Sequence, residues 1–305
     1  MITVALTGAT GFIGNVLLRH LVDQGFQVRS LYRPSSVTPP LSSGPVQWQA
    51  GDLGNLDSLH TFVAGADAVV HCAGAVRGAT LQQFRKVNTE GVARLLQAAT
   101  AQGVPRFVLM SSLAAREPTL SDYASSKKQG EDVLLQFQGG ISREILRPPA
   151  VYGPGDREML PLLQLIKRGI VPIIGDKGGR FSLLYVDDLA EAVSCLLKAE
   201  PKDGQCFELH DGHPGGYSWQ QVAAIASQLN GKEPRYISVP RTGMKIAALT
   251  NIALARIFRY QPMLTPGKVR EIFHPDWVCD NTAIASAIGW QPRVLFRDGM
   301  LRLFY

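Results

Sequence analysis

Residues Thr7 to Gly14 read Thr-Gly-Ala-Thr-Gly-Phe-Ile-Gly, and this stretch decides the fold. It separates a short β-rich run, Ile2 to Leu6, from a segment with the apolar period of a helix. Gly8 permits a tight turn, Gly11 lets the backbone approach a pyrophosphate, and Gly14 lets the helix pack closely on the strand. The start of the helix then offers N–H donors and a partial positive charge. A plain strand–helix turn is the alternative, but the placement at the first strand favours a dinucleotide-binding site.

The residues that follow alternate between strand-like and helix-like patterns. Strands are predicted at 27–32, 46–49, 68–71 and 107–111, and helices at 57–63 and 88–101. Apolar strands that alternate with helices indicate a parallel sheet covered on both faces. We therefore predict an α/β fold, a Rossmann-type doubly wound parallel sheet, in which ligands bind beyond the carboxyl ends of the strands.

The composition changes near residue 150, where prolines and glycines cluster. We expect residues 1–150 to form the dinucleotide-binding domain, with segments near 178–210 returning to it. Residues 151–305 are expected to form mainly a smaller, mostly helical C-terminal substrate lobe. Within this lobe, residues 244–260 predict an amphipathic helix, and packing against the core is the favoured interpretation. A lid over an apolar pocket and a helix at the membrane surface are the alternatives.

The end of the second predicted strand indicates which dinucleotide binds. An acid there would bind the ribose hydroxyls of NAD and repel a ribose phosphate. The chain instead reads Ser30-Leu-Tyr-Arg33-Pro-Ser-Ser36. Arg33 can contact a phosphate through two donors, and Ser35 and Ser36 can add more. A solvated surface arginine is the alternative interpretation. The pattern favours NADP, with NAD as the second choice.

The overall composition argues against several classes of protein. The chain has 305 residues and a formal net charge of +6, but its basic residues are scattered, which indicates a mildly basic enzyme surface rather than a nucleic-acid partner. No disulfide or metal site is expected, because the four cysteines lie far apart without histidines at ligand spacing. The start lacks the pattern of a signal peptide, and no run reaches the roughly 18 apolar residues of a membrane span. We therefore expect a cytoplasmic protein.

Tyr123 and Lys127 are four residues apart, so they share one face if the segment is helical. A tyrosine titrates near pH 10 in its ordinary state, and a nearby ammonium group favours the phenolate. Such a tyrosine can exchange a proton with a carbonyl or alcohol oxygen. An ordinary exposed helix face is the alternative, and we prefer the chemical interpretation because the glycine turn lies upstream.

Several further motifs occur in a fixed order after the glycine turn. They are Gly51-Asp-Leu53, Val70-His-Cys-Ala-Gly74, Asn88, Ser111-Ser112 and Tyr123-Ala-Ser-Ser-Lys127. With them the chain resembles the extended short-chain dehydrogenase/reductase family, which includes nucleotide-sugar epimerases, flavonoid reductases and hydroxysteroid dehydrogenases. The likeness covers essentially the whole chain and is strongest from residue 4 to about 190.

The resemblance implies roles for individual residues. Ser112, Tyr123 and Lys127 match the catalytic serine, tyrosine and lysine, and Asn88 matches a residue that shapes the active-site helix or a proton path. Capping of a helix at 88–101 is the alternative for Asn88. His71 is interpreted as a packed core histidine. The residues implied to bind the cofactor are Gly8, Thr10, Gly11, Phe12, Ile13, Gly14, Arg33, Ser36, Asp52, Leu53, Cys72, Ala73, Gly74, Tyr123, Lys127, Pro148 and Val151.

The expected function is an NADP-dependent oxidoreductase that acts on a carbonyl or secondary alcohol of a small, apolar substrate. The main alternative is a nucleotide-sugar epimerase or dehydratase with tightly bound NAD. Members of that group place an arginine where this chain has Ser182, although Arg180 lies two residues earlier. A non-catalytic NAD(P)-binding regulator or assembly factor is the second alternative. The resemblance also implies a homodimer, formed through helices near the Tyr123–Lys127 segment.

Overall fold

The computed structural model describes residues 1–34, 45–175 and 178–305. Its strands are β1 Thr3–Thr7, β2 Gln27–Tyr32, β3 Val46–Ala50, β4 Ala68–His71, β5 Arg106–Met110, β6 Ser142–Arg147, β7 Ala150–Tyr152, β8 Ile170–Ile174, β9 Arg180–Phe181, β10 Leu183–Tyr185, β11 Gln205–Glu208, β12 Arg235–Val239 and β13 Asp276–Trp277. Its α-helices are α1 Phe12–Asp23, α2 Leu56–Val63, α3 Leu81–Asn88, α4 Glu90–Ala101, α5 Asp122–Gln136, α6 Leu160–Lys167, α7 Val186–Lys198, α8 Trp219–Asn230, α9 Arg241–Phe258, α10 Pro266–Ile272, α11 Thr282–Ile288 and α12 Phe296–Phe304. A 3-10 helix spans Leu113–Arg116.

Seven parallel strands form the main sheet, in the order β11-β6-β5-β4-β1-β2-β3. The chain runs outward from β1 to β3 and then resumes on the other side of β1 with β4. The order therefore reverses between β1 and β4, and the carboxyl ends of these two strands border the crevice where such sheets bind ligands. The predicted Rossmann-type doubly wound fold is confirmed.

Both faces of the sheet are covered, as the apolar strands predict. Val4 and Val70 pack with residues of α1 and α7 on one face. Their chain neighbours Ala5 and Val69 pack with α2 and α4 on the other, since successive side chains of a strand point to opposite faces. All four side chains are almost completely buried.

Part of the second half of the chain belongs to this sheet. Helix α7 packs against α1, and β11 pairs with β6. A separate apolar core lies among α6, α8 and α12 and includes Tyr152, Leu163 and Phe296. The division into domains at residue 150, with segments near 178–210 returning, stays a prediction.

Two predicted helices differ in the structure. The helix expected at 88–101 forms as α4, Glu90–Ala101, but it begins two residues later, and the preceding α3, which ends at Asn88, was not predicted. The helix expected at 244–260 forms as α9, but its favoured packing against the core is wrong. Only Ala248 and Ala255 are buried in α9, and five of its large apolar side chains are exposed, namely Ile246, Leu249, Leu254, Ile257 and Phe258. Among the described residues, no helix has both the length and the apolar character needed to cross a membrane.

Candidate active site

The glycine turn after β1 lies against the end of β4. Gly8 has φ +79°, which a side chain tolerates poorly. A Cβ added at Gly8 would lie 2.6 Å from the backbone N of Ala73, and one at Gly14 would lie 2.1 Å from the carbonyl oxygen of Gly8. Glycine is therefore required at both positions. Gly8 lets the turn lie against the end of β4, and Gly14 lets α1 pack against the turn.

The N-terminus of α1 follows this turn directly. Gly11 is its N-cap and has no side chain to cap the helix, and no acid occupies the first turn. The first N–H groups thus keep their donor capacity beside the crevice, which is the arrangement that binds a pyrophosphate. Thr10 is exposed, and Phe12 and Ile13 are half-buried in the first turn. The geometry fits a dinucleotide at this position.

Thr7 and His71 connect the ends of β1 and β4. The Thr7 hydroxyl lies 2.8 Å from His71 Nδ1 and accepts the N–H of Ala73 at 3.1 Å. His71 is fully buried, and burial, followed by the repulsion from Lys127, lowers its pKa to about 3. A neutral, buried imidazole that supports the loop agrees with the interpretation of His71 as a packed core residue.

The two serines after β5 have different partners. The Ser111 hydroxyl donates to Glu131 at 2.5 Å, and Glu131 also forms an ion pair with Arg147. The Ser112 hydroxyl accepts the N–H of Ala114 at 3.2 Å, and the Ser112 side chain interacts with the Tyr123 hydroxyl. Only Ser112 therefore shares a site with Tyr123, as the family resemblance implies.

Tyr123 lies in the first turn of α5, where it is half-buried and packs edge-on against Phe84. Burial raises the pKa of Tyr123, while Ser112 and the Lys268 ammonium oppose the rise. We expected the nearby Lys127 to lower the pKa of Tyr123, but the pKa is raised, and Lys127 is not among the groups that shift it. The cation at the ring is Lys268, whose Nζ lies 5.7 Å from the ring centre. The phenol thus stays protonated at neutral pH.

Lys127 lies one turn further along α5 and is buried. Its Nζ donates to the carbonyl oxygen of Met110 at 2.7 Å, at the end of β5. Burial lowers its pKa to about 8. A Cβ added at Gly74 would lie 3.8 Å from this Nζ, so the ammonium group and the loop after β4 border the same space.

Asn88 is the last residue of α3, so the suggested N-cap role is wrong. Its side-chain amide donates to the carbonyl oxygen of Ala75 and to the Ser126 hydroxyl, and its oxygen accepts the N–H of Ala75. These bonds join the loop after β4 to α5. The structure therefore gives Asn88 a positioning role for the helix that carries Tyr123 and Lys127.

Most of the other residues expected at the cofactor follow strands of the main sheet. Arg33 follows β2 and is exposed, whereas Ser36 lies outside the described residues. The Asp52 carboxylate accepts the N–H of Gly54 at 2.7 Å, and Leu53 contacts Gly91 of α4.

The Cys72 thiol follows β4, and burial raises its pKa to about 11, so it stays neutral. The Pro148 carbonyl accepts the N–H of Leu113, and Val151 packs against the core beneath α1. Within the described residues, no group of three or more histidine, cysteine, aspartate or glutamate side chains could hold a metal ion.

A pocket of about 190 Å³ opens beside Tyr123. Its walls include Phe84 from α3, Ile252 from α9 and Met263 from the following loop. Lys268 reaches in from α10 and pairs with Glu271 at 2.8 Å, and Glu271 also hydrogen-bonds Ser121 at the start of α5. Sequence reasoning did not identify Lys268 or Glu271, because no motif links α10 to α5 and only the folded chain brings them together.

The site combines a crevice, formed by the glycine turn, with a serine, a tyrosine and a lysine. This combination is typical of dinucleotide-dependent oxidoreductases. The chain belongs to the NAD-dependent epimerase/dehydratase family, which it matches over residues 4–208. It is thus an NAD(P)-dependent enzyme of the extended short-chain dehydrogenase/reductase type, and the family resemblance seen in the sequence is confirmed.

Individual proteins extend this likeness to the whole chain. Ceramide reductase of Caulobacter vibrioides is 37% identical over 285 residues, covering 93% of this chain and 88% of the relative. The 2-alkyl-3-oxoalkanoate reductase of Stenotrophomonas maltophilia is 26% identical over 335 residues and 98% of each chain. The solved UDP-glucose 4-epimerase of Thermotoga maritima superposes with a TM-score of 0.73 at 21% identity, over 99% of this chain and 97% of that one. At that identity the structural match shows the fold alone.

Proposed function

We propose that this protein is an NADP-dependent reductase of a carbonyl group on a small, apolar substrate, with the corresponding alcohol oxidation as the reverse reaction. The observation that carries the proposal is the pair Ser112 and Tyr123, whose side chains interact, with Tyr123 in the wall of a partly apolar pocket. The printed names of two relatives, ceramide reductase and 2-alkyl-3-oxoalkanoate reductase, support the reduction of an apolar substrate.

The protein's own groups account for the movement of the proton. When bound, the reduced nicotinamide supplies a hydride to the carbonyl carbon. Tyr123 donates its phenolic proton to the carbonyl oxygen, and its raised pKa keeps that proton available at neutral pH. Ser112 orients the same oxygen by a hydrogen bond. The Lys268 ammonium stabilises the phenolate that remains until solvent returns a proton.

The choice of NADP rests on the end of β2. Arg33 is exposed there, and no acid occupies the strand or the two residues that follow it. A guanidinium group at this position can bind the ribose phosphate that an acid would repel. Ser36, the second residue expected at this phosphate, lies outside the described residues.

Two features speak against the nucleotide-sugar alternative. Ser182, at the place where the epimerases have an arginine, is 2% exposed, and its hydroxyl accepts the N–H of Cys279. The nearby Arg180 donates to the carbonyl oxygen of Gly215 at 3.1 Å. Neither side chain is thus arranged as a dedicated diphosphate ligand. The homodimer and the cytoplasmic location stay predictions.

The test is a titration with NADPH and NADH, followed by turnover of a panel of apolar ketones, aldehydes and a UDP-sugar. We expect tighter NADPH binding, ketone or aldehyde reduction, and a loss of at least roughly a hundredfold in turnover for Tyr123→Phe with cofactor binding retained. Tyr236→Phe, at an exposed tyrosine of β12, is the matched control. Preference for NADH would contradict the Arg33 argument, UDP-sugar turnover without net redox would favour the epimerase, and an active Tyr123→Phe would refute the mechanism.

A further inference from the structure

Helix α9 exposes an unusually continuous apolar face. Ile246, Leu249 and Ile257 are 62%, 60% and 71% exposed. At about 3.6 residues per turn their spacing places them in one stripe along the helix. Leu254 and Phe258 are also exposed, and they widen the stripe along one of its borders. Single exposed apolar residues need no explanation, but a contiguous set on one helix marks a binding surface.

The charged residues on α9 and next to it in the sequence are all of one sign. From residue 235 to 260 the chain carries five basic residues and no acid, and these account for five of the net +6. All five are exposed: Arg235, Arg241, Lys245, Arg256 and Arg259. Lys245 and Arg256 are eleven residues apart, so about three full turns bring them to the same border of the apolar stripe. Long basic side chains at such a border can reach anionic headgroups while their stems cover apolar surface.

The opposite face of α9 belongs to the pocket beside Tyr123. Ile252 lines that pocket, and Ala248 and Ala255 are buried beneath the helix. Asn251 donates to the carbonyl oxygen of Leu264 at 3.0 Å, which ties α9 to the loop before α10. The helix is therefore fixed on its inner side, while the outer apolar stripe has solvent in front of it.

We propose that the outer face of α9 docks this protein on an anionic lipid bilayer, lying in the plane of the membrane surface. The 18-residue helix is about 27 Å long, and the apolar stripe from Ile246 to Phe258 covers about 18 Å of it. Helices of this character insert their apolar face roughly 5–10 Å into the headgroup boundary. The inference goes beyond the proposed function and does not depend on it.

A second copy of the chain is the less favourable occupant. A two-fold interface would place the same surface on both subunits, so Lys245 and Arg256 of one copy would meet those of the other, and α9 carries no acid to balance them. An anionic bilayer instead attracts both of these cations, by about 1 kcal/mol for each that lies near the surface. Charge complementarity thus selects the membrane.

The experiment is co-sedimentation of the purified full chain with two kinds of vesicle, phosphatidylcholine alone and phosphatidylcholine with roughly one third phosphatidylglycerol. We expect binding to the anionic vesicles, weaker binding to the neutral ones, and release at about 1 M salt, where the Debye length is about 3 Å. The triple variant Ile246→Gln, Leu249→Gln and Ile257→Gln should lose at least roughly tenfold in partitioning.

The matched control is a triple variant at exposed leucines away from α9, Leu135→Gln, Leu165→Gln and Leu295→Gln, which are 40%, 37% and 43% exposed. It should bind the vesicles as the wild type does, and circular dichroism should show that both variants are folded. Wild type that binds neither vesicle, an α9 variant that still binds, or an equal loss in the control would each overturn the proposal. So would a wild-type dimer that the α9 variant makes monomeric without any vesicle binding. None of these results depends on turnover, so they leave the reductase proposal to its own test.

Discussion

The carboxyl edge of the main sheet and the outer face of α9 differ in how their side chains are surrounded. At the sheet edge, Gly8 lies against the backbone of Ala73 with no room for a side chain, His71 lies 2.8 Å from the Thr7 hydroxyl, and Ser112 interacts with Tyr123. On α9, the apolar residues have no neighbour on their outer side, and their identities matter only in sum. At the sheet edge, replacing a single side chain should already have a large effect. On the outer face of α9, only the removal of several apolar side chains together should have one.

The largest expected effect comes from Ser112→Ala, at the edge of the sheet. Loss of its hydroxyl removes a hydrogen bond to the reacting oxygen, and we expect a drop of roughly a hundredfold in turnover, about 2.7 kcal/mol. Steady-state kinetics with NADPH measures it. The neighbouring Ser111→Ala is the control, because Ser111 donates to Glu131 rather than to Tyr123. It should lose stability and keep its turnover, and an equal loss in both variants would contradict the separate roles of the two serines.

The next effect is a pH dependence of stability that arises from His71. The pKa of His71 in the folded chain is about 3, below its ordinary value of 6.5. Between these two pH values, His71 is therefore protonated in the unfolded chain and neutral in the folded chain. The stabilisation is therefore complete above pH 6.5 and is lost as the pH falls toward 3. Between pH 7.5 and about 5, the wild type should lose about 2 kcal/mol more free energy of unfolding than His71→Gln, with a slope that approaches 1.36 kcal/mol per pH unit below pH 6.5.

Urea unfolding at the two pH values measures this difference. Equal losses in the two proteins would mean that His71 is not kept neutral by burial. The remaining histidines are common to both proteins, so their titration cancels in the comparison.

The smallest effect belongs to the outer face of α9. Ile257→Gln should change the free energy of unfolding by less than about 0.5 kcal/mol, because the side chain is 71% exposed. Leu17→Ala in the fully buried part of α1 should cost about 2–5 kcal/mol by the same measurement. A loss above about 1 kcal/mol for Ile257→Gln would indicate that this face packs within the protein, and the contrast between the two regions would fail.

Much of the sheet edge was predictable because local rules govern it. Glycine spacing predicts a turn and a helix start wherever it occurs, and a spacing of four predicts that Tyr123 and Lys127 share α5. The predicted start of α4 lay two residues too early because Asn88 and Thr89 continue an acceptable helical pattern, and α3 was not predicted. Thr89 donates its hydroxyl proton to the carbonyl oxygen of Ser126, a bond across 37 residues that no local pattern reveals.

The sequence by itself determined the strand–turn–helix start and the parallel sheet, since these depend on backbone freedom and on hydrophobic period within a few residues. The catalytic candidates came from the spacing of Tyr123 and Lys127 and from the family resemblance. Only the tertiary structure decided which cation faces Tyr123, because Lys268 comes from a helix more than a hundred residues away. It also decided the environment of α9. An amphipathic pattern predicts that a helix has an apolar side, but whether protein, a second copy or a lipid surface covers that side depends on where the rest of the chain folds.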